Sequence, residues 1–255
     1  MISTTVVLVG LSIIVLLAPA AHAQTGQTAG RSTTLRQVLA SGPLRTVVDA
    51  PVFFRVVRVN LGAERSTTYT GLDGVIYQMT GTLALSGPSG SVTLREGEGA
   101  FLSAVEKVTV KAGAGPATYL HFVLVREPDL KRPLASGDAI ATELRQPAGP
   151  LPGLKLGPYE FSLTRVTFPP RFPRNAPHMR SGGALYFILS GTGLITVDGT
   201  SEPRGPGALQ YEPHGFVHQW ENAGDTPFVI LQANISPEGL PAVIFTSPGG
   251  SPPSR

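Results

Sequence analysis

The stretch Gly207–Asn222 reads GALQYEPHGFVHQWEN, and its spacing decides the fold. A glycine opens it; Pro213 and Gly215 follow, then His218 and Asn222. Proline fixes φ and glycine tolerates the left-handed region, so Pro213 and Gly215 build a tight turn into a strand. Beyond that turn Phe216, His218 and Trp220 alternate with Val217 and Gln219, which puts the three ring-bearing residues on one face.

The surrounding sequence has the same character. Tyr159–Phe168, Leu185–Leu189, Gly193–Val197, Gly207–Tyr211, Val217–Trp220 and Phe228–Ile235 are rich in β-branched and aromatic residues and are punctuated by turn formers. The first half repeats the pattern at Val52–Leu61, Val75–Leu85, Ser91–Leu94, Lys107–Ala112 and Thr118–Arg126. Gly99 aligns with Gly207 and Gly81 with Gly191, offsets of 108 and 110 residues, and Tyr119–Leu124 overlies Pro227–Gln232. Such an offset is too long for a solenoid unit and fits a duplicated domain. Two all-β units of this size predict two small barrels, which also hide sheet edges. The 30 Gly and 24 Pro work against long helices. Two short helices are nevertheless expected, one capped by Thr33 or Thr34 and running to Leu39, the other over Asp138–Leu144.

Composition excludes several functions. With no Cys there are no disulfides, zinc–thiolate sites or thiol catalysis. Net charge is +3 without a Lys or Arg run, so no nucleic-acid partner is expected. No nucleophile elbow, P-loop or dinucleotide fingerprint appears, and Gly87–Gly90 reads as a hairpin turn. At the N-terminus the apolar run Val6–Ala18 precedes Ala21-His22-Ala23, an A-x-A cleavage pattern. Cleavage there leaves a chain starting at Gln24, secreted or held in the periplasm or cell envelope, with no stable membrane span after processing. The expected layout is a signal peptide 1–23, a lead-in 24–46, a first barrel 47–127, a linker 128–153, a second barrel 154–245 and a disordered tail 246–255.

The spacing of Gly207, Pro213, Gly215, His218 and Asn222 resembles the second motif of the cupin family, whose members are jelly-roll β-barrels, here two in tandem. The resemblance implies that the strand after the Pro213–Gly215 turn carries His218 into the barrel interior. The family's first motif is partly kept, with Pro177-His178 and Gly191 in place. Its second His is here Arg180, its Glu is Ala184 and its leading Gly is Phe172. In the family three His and the Glu hold a divalent metal; only His178 and His218 of that set stand in this sequence. Mapped the same way, the first half places Thr68, Thr70, Gly74 and Val110 at ligand positions, none of which replaces imidazole.

These departures leave two readings of each residue. His178 and His218 form a two-imidazole metal site completed by water, substrate, Gln210, Glu212 or His214, or they are relict histidines held by hydrogen bonds. A divalent Mn, Fe, Ni or Zn is the cofactor that the resemblance implies. In one reading Arg180 binds an anionic or sugar oxygen of a ligand; in the other it pairs with Glu212 or Glu221 or turns outward at the barrel mouth, because a guanidinium inside a barrel is costly unless paired. Tyr186, Gln210 and Trp220 complete the candidate ligand-binding set. His121 reads as structural. The function expected is an exported double-cupin protein binding a small polar or anionic molecule in the second barrel. The alternative is a metal-dependent cupin enzyme of oxygenase, oxidase, decarboxylase or isomerase type. Homo-oligomerisation is left open.

Overall fold

In the computed structural model, residues 33–47, 51–145, 149–151 and 153–246 are described. The expected signal peptide, residues 24–32 of the lead-in, and the tail beyond Thr246 lie outside them. Among the described residues no helix is long and apolar enough to cross a membrane.

The chain runs through β1 (Leu35–Val47), β2 (Val52–Leu61), β3 (Ser66–Tyr69), β4 (Gly74–Thr80), β5 (Leu83–Gly87), β6 (Gly90–Leu94), β7 (Gly99–Leu102), β8 (Val108–Ala112) and β9 (Ala117–Arg126). After a short 3-10 turn it continues through β10 (Ile140–Arg145), β11 (Gly157–Phe168), β12 (His178–Arg180), β13 (Gly183–Ser190) and β14 (Gly193–Val197). It ends with β15 (Thr200–Arg204), β16 (Leu209–Glu212), β17 (Gln219–Glu221), β18 (Phe228–Pro237) and β19 (Val243–Phe245).

Each barrel has a five-stranded sheet, in the orders β10-β2-β9-β4-β7 and β1-β11-β18-β13-β16. Facing the first is β3-β8-β5-β6; facing the second are β15-β14-β17 and the pair β12-β19. The two large sheets have the same order with one exchange: β1 precedes the first barrel but pairs with β11 of the second, and β10 precedes the second but pairs with β2 of the first.

That exchange corrects the two expected helices. Leu35–Leu39 belongs to β1 and Ile140–Leu144 to β10. A helix of one or two turns is marginal in water, whereas lying along β11 or β2 pairs the backbone and closes an open sheet edge. Arg55 fixes β10 further by a forked contact, Nε to Glu143 Oε1 at 3.2 Å and Nη2 to Oε2 at 2.6 Å.

The outer faces of the large sheets pack on each other. Phe54, Val75, Leu120 and Phe122 of one meet Phe161, Leu185, Phe187 and Leu231 of the other, with the Phe54 and Phe161 rings 5.8 Å apart, edge to face. Strands β9 and β18 are therefore buried on both faces, which is why they read as near-continuous apolar runs.

The interiors differ. The first barrel is filled by Leu61, Tyr69, Ile76, Leu85, Leu102, Val108 and Val110. In the second, the inward residues of β18 begin as Phe228 and Ile230 and continue as Gln232, Asn234 and Ser236, all five buried. One end of that barrel is apolar, with Val166, Phe168, Ile188 and Ile195, and the other is polar.

Candidate functional site

The polar end is assembled from three short elements. Strand β12 presents His178 and Arg180 on one face, two residues apart, both buried. The turn at Pro213–Gly215, with Gly215 at φ +79°, leads to His218 and Trp220. The segments lock together through their backbones: His178 N–H donates to His218 O at 3.1 Å and His218 N–H to His178 O at 2.9 Å. Strand β16 adds Glu212. Asn222 serves the fold: its Nδ2 donates to the carbonyls of Phe168, Pro169 and Thr226, and its Oδ1 accepts from Gly224 N–H.

Glu212 is the centre, fully buried. Arg180 Nε donates to its Oε2 at 2.8 Å and Trp220 Nε1 to its Oε1 at 3.0 Å. His218 Nε2 lies 2.9 Å from Oε1, close enough for an ionic contact but off the line of a hydrogen bond. Burial works to raise the Glu212 pKa; the charge of Arg180, then His218 and the Trp220 hydrogen bond, overcome it and hold the carboxyl at about 2. The guanidinium of Arg180 stands 5.1 Å over the Tyr186 ring, which stacks on Trp220 at 5.9 Å.

Both imidazoles are oriented alike. His178 Nδ1 faces Ala176 O and His218 Nδ1 faces Phe216 O, each at 2.9 Å. A carbonyl only accepts, so Nδ1 carries the proton in both and Nε2 is the atom turned to the site. Burial, then the neighbouring His218 and Arg180, lower the His178 pKa to about 3.

The structure thus brings His178, His218, Arg180, Tyr186 and Trp220 together. It does not bring Gln210 to them: Gln210 Oε1 accepts from Arg204 Nε at 3.0 Å and its Nε2 donates to Tyr211 O. Arg180 pairs with Glu212, so of its two sequence readings the internal pair is the one realised. His214 is held to the Arg180 carbonyl through Nδ1 at 3.1 Å. Two participants carried no motif. Asn234 lies across from Ala184. Arg36, on the exchanged strand β1, sends its Nη2 to Gln232 Oε1 at 2.9 Å. Burial of the Arg36 head group and the charge of Arg180 lower its pKa to about 10.

Register also corrects the counterpart positions in the first barrel. Tyr69 pairs with Val108 as His178 pairs with His218, and Gly71 N–H meets Ala104 O where Arg180 bridges His214. Thr68, Thr70 and Val110 are displaced from these places. A one-residue shift turns a strand side chain to the other face, and Thr70 is exposed. Gly74 keeps its place, opposite Leu102 as Ala184 is opposite Glu212.

A divalent metal does not fit these side chains as they stand. Among the described residues no three His, Asp or Glu side chains gather their donors about one point. Both oxygens of Glu212 are engaged, one by a guanidinium. A dication beside that guanidinium adds two buried positive charges to a centre whose single carboxylate is already neutralised.

Fold and site together define a two-barrel, all-β protein with a polar centre inside one barrel. The sequence profile of the cupin domain matches residues 164–233, so the body of the second barrel is a cupin domain. No curated protein matches it significantly in sequence. Among solved structures it is similar to oxalate decarboxylase from Lactobacillus farciminis in complex with formate, with 12% identity and a TM-score of 0.52 over 85% of this chain and 89% of that one. It is also similar to oxalate decarboxylase from Bacillus subtilis at pH 4.6, with 14% identity and a TM-score of 0.51 over 88% of this chain and 80% of that one. At these identities the likeness is one of fold.

Proposed function

We propose that the chain is a cupin enzyme acting on a small polar or anionic molecule in the polar end of the second barrel. The observation that carries this reading is a concentration of unsatisfied groups. Arg180 Nη1, Ser181 Oγ, Tyr186 OH, Asn234 Oδ1 and Ser236 Oγ are buried there without a hydrogen-bond partner. Buried polar atoms are ordinarily bonded, so a cluster of orphans marks where a polar molecule is received. Arg36 supplies a cation without a carboxylate partner among the described residues, suited to an anionic substrate. Tyr186 OH can donate a proton and His178 Nε2 can accept one. The likeness to oxalate decarboxylases favours the enzyme class over a bare exported binding protein.

A second reading has its own support. Arg180 locked on Glu212, and donors not gathered for a metal, suit an exported protein that binds its ligand without converting it. Incubating the full chain with small carboxylates, oxalate included, with and without manganese, separates the two. An enzyme consumes one of them and loses that activity in Tyr186→Phe. A rise in melting temperature without turnover selects the binding protein, since a ligand of the native state stabilises it. Neither effect with any probe would sink both readings. Export rests on the 1–23 segment; intact mass of protein from the native envelope should begin at Gln24, and a retained Met1 refutes it.

A further inference from the structure

We infer that the Arg180–Glu212 pair is a built-in replacement for a bound cation, so that the second barrel works without a metal ion. The inference holds whether the barrel converts its ligand or only binds it.

Two features of the register carry it. First, Ala184 stands where the family resemblance asks for a carboxylate, and its partner across the β13–β16 ladder is Glu212. The centre therefore keeps a carboxylate, delivered from the next strand. Second, Arg180 stands where the resemblance asks for an imidazole, and its Nε reaches that carboxylate at 2.8 Å with both side chains almost wholly buried. The positive charge of the centre is thus tethered to the chain.

The surroundings are built for a guanidinium. The Tyr186 ring lies beneath it at 5.1 Å, and Trp220 holds the other carboxylate oxygen. Each oxygen of Glu212 has a donor, which a buried anion needs. His178 keeps the tautomer that leaves Nε2 facing the site, while His218 Nε2 lies against Glu212 Oε1 at 2.9 Å. They are two imidazoles of an imidazole–carboxylate set whose cation is now a side chain. Replacing Arg180 by histidine removes the tethered charge, frees Glu212 and adds a third imidazole beside it.

Calorimetric titration of the full chain with manganese and with nickel tests this. The native chain should bind weakly, and Arg180→His at least about tenfold more tightly. The gain should vanish in Arg180→His/Glu212→Gln, because the carboxylate that completes the set is gone. A native chain that binds as tightly as Arg180→His overturns the inference, as does a folded Arg180→His that gains nothing. Should that variant fail to fold, melting of the native chain decides. With millimolar manganese or with a chelator the midpoint should move by no more than about one degree; several degrees lost on chelation would mean that a metal belongs to the native state. Neither measurement depends on turnover, so its failure is distinct from that of the enzyme reading.

Discussion

The two barrels share a strand order and an outer packing face, yet position by position their interiors have opposite character. Leu102 of the first stands where the second has Glu212, Ile76 where it has Tyr186, Val108 where it has His218 and Val123 where it has Asn234. Tyr69 closes its end by a hydrogen bond to Tyr119 at 2.6 Å. The first barrel is an apolar core in which His121 is the main polar intruder. The second has given up that packing at one end for a buried ion pair and several unsatisfied groups. Breaking one member of such a pair is far costlier than never having had it. The same backbone frame accepts both fillings, so the frame does not impose the chemistry.

The sharpest way to break this comparison is to give the first barrel the second barrel's centre. Leu102→Glu places a carboxylate in a core where Gly71, not an arginine, stands at the pairing position. We expect a loss of about 4–5 kcal/mol or more, in effect unfolding that barrel, by urea titration. A loss under about 1 kcal/mol would show that the first interior is open to water. The reciprocal change is somewhat milder. Glu212→Leu strands Arg180 in the interior and should cost about 3–5 kcal/mol, largely recovered by Arg180→Met on top of it. Additive losses in the double variant would mean that the two side chains do not act as a pair.

A smaller effect follows from His121, wholly buried in the first barrel with neither ring nitrogen bonded. Burial lowers its pKa from the ordinary 6.5 to about 3. Between those values the unfolded chain takes a proton that the folded chain refuses. Stability is therefore full above about pH 6.5 and falls by up to about 1.4 kcal/mol per unit down to about pH 3. His178 contributes in the same direction and window in the second barrel. His121→Leu should be nearly neutral at pH 7 and should flatten part of this slope in denaturation curves taken at pH 7, 5 and 4. An unchanged slope would assign the pH dependence to the second barrel alone.

How far the sequence could be read differs between these regions for physical reasons. Alternation along a strand is local, so the shared face of His178 and Arg180, and the strand following Gly215, are legible in the residues themselves. Cross-strand partners are not local. Glu212 shows its importance only when the ladder sets it opposite Ala184, and Gln210, on the same face, turns to Arg204 instead. Residues Leu35–Leu39 and Asp138–Leu144 suit either a helix turn or a strand, and their partners lie in the other barrel, so tertiary pairing decides. The one-residue error at Thr68 and Thr70 has the same source, since strand register is fixed by the partner and not by the strand.

The exchange of β1 also bears on the order in which the molecule can be assembled. Leu35 finds its ladder partner at Thr167, on the far side of the whole first barrel. At about 5–20 residues per second of synthesis, β1 waits on the order of ten seconds for β11 to exist. During that interval the first barrel has nearly all its strands, while the segment preceding it has no sheet to join. Arg36 reaches Gln232 only after β18 is made. Strand β1, translated ahead of both barrels, is thus among the last to be docked, and such non-local closure is slow by nature. Completion of the second barrel's polar end is a late event that reports on the folding of the entire chain.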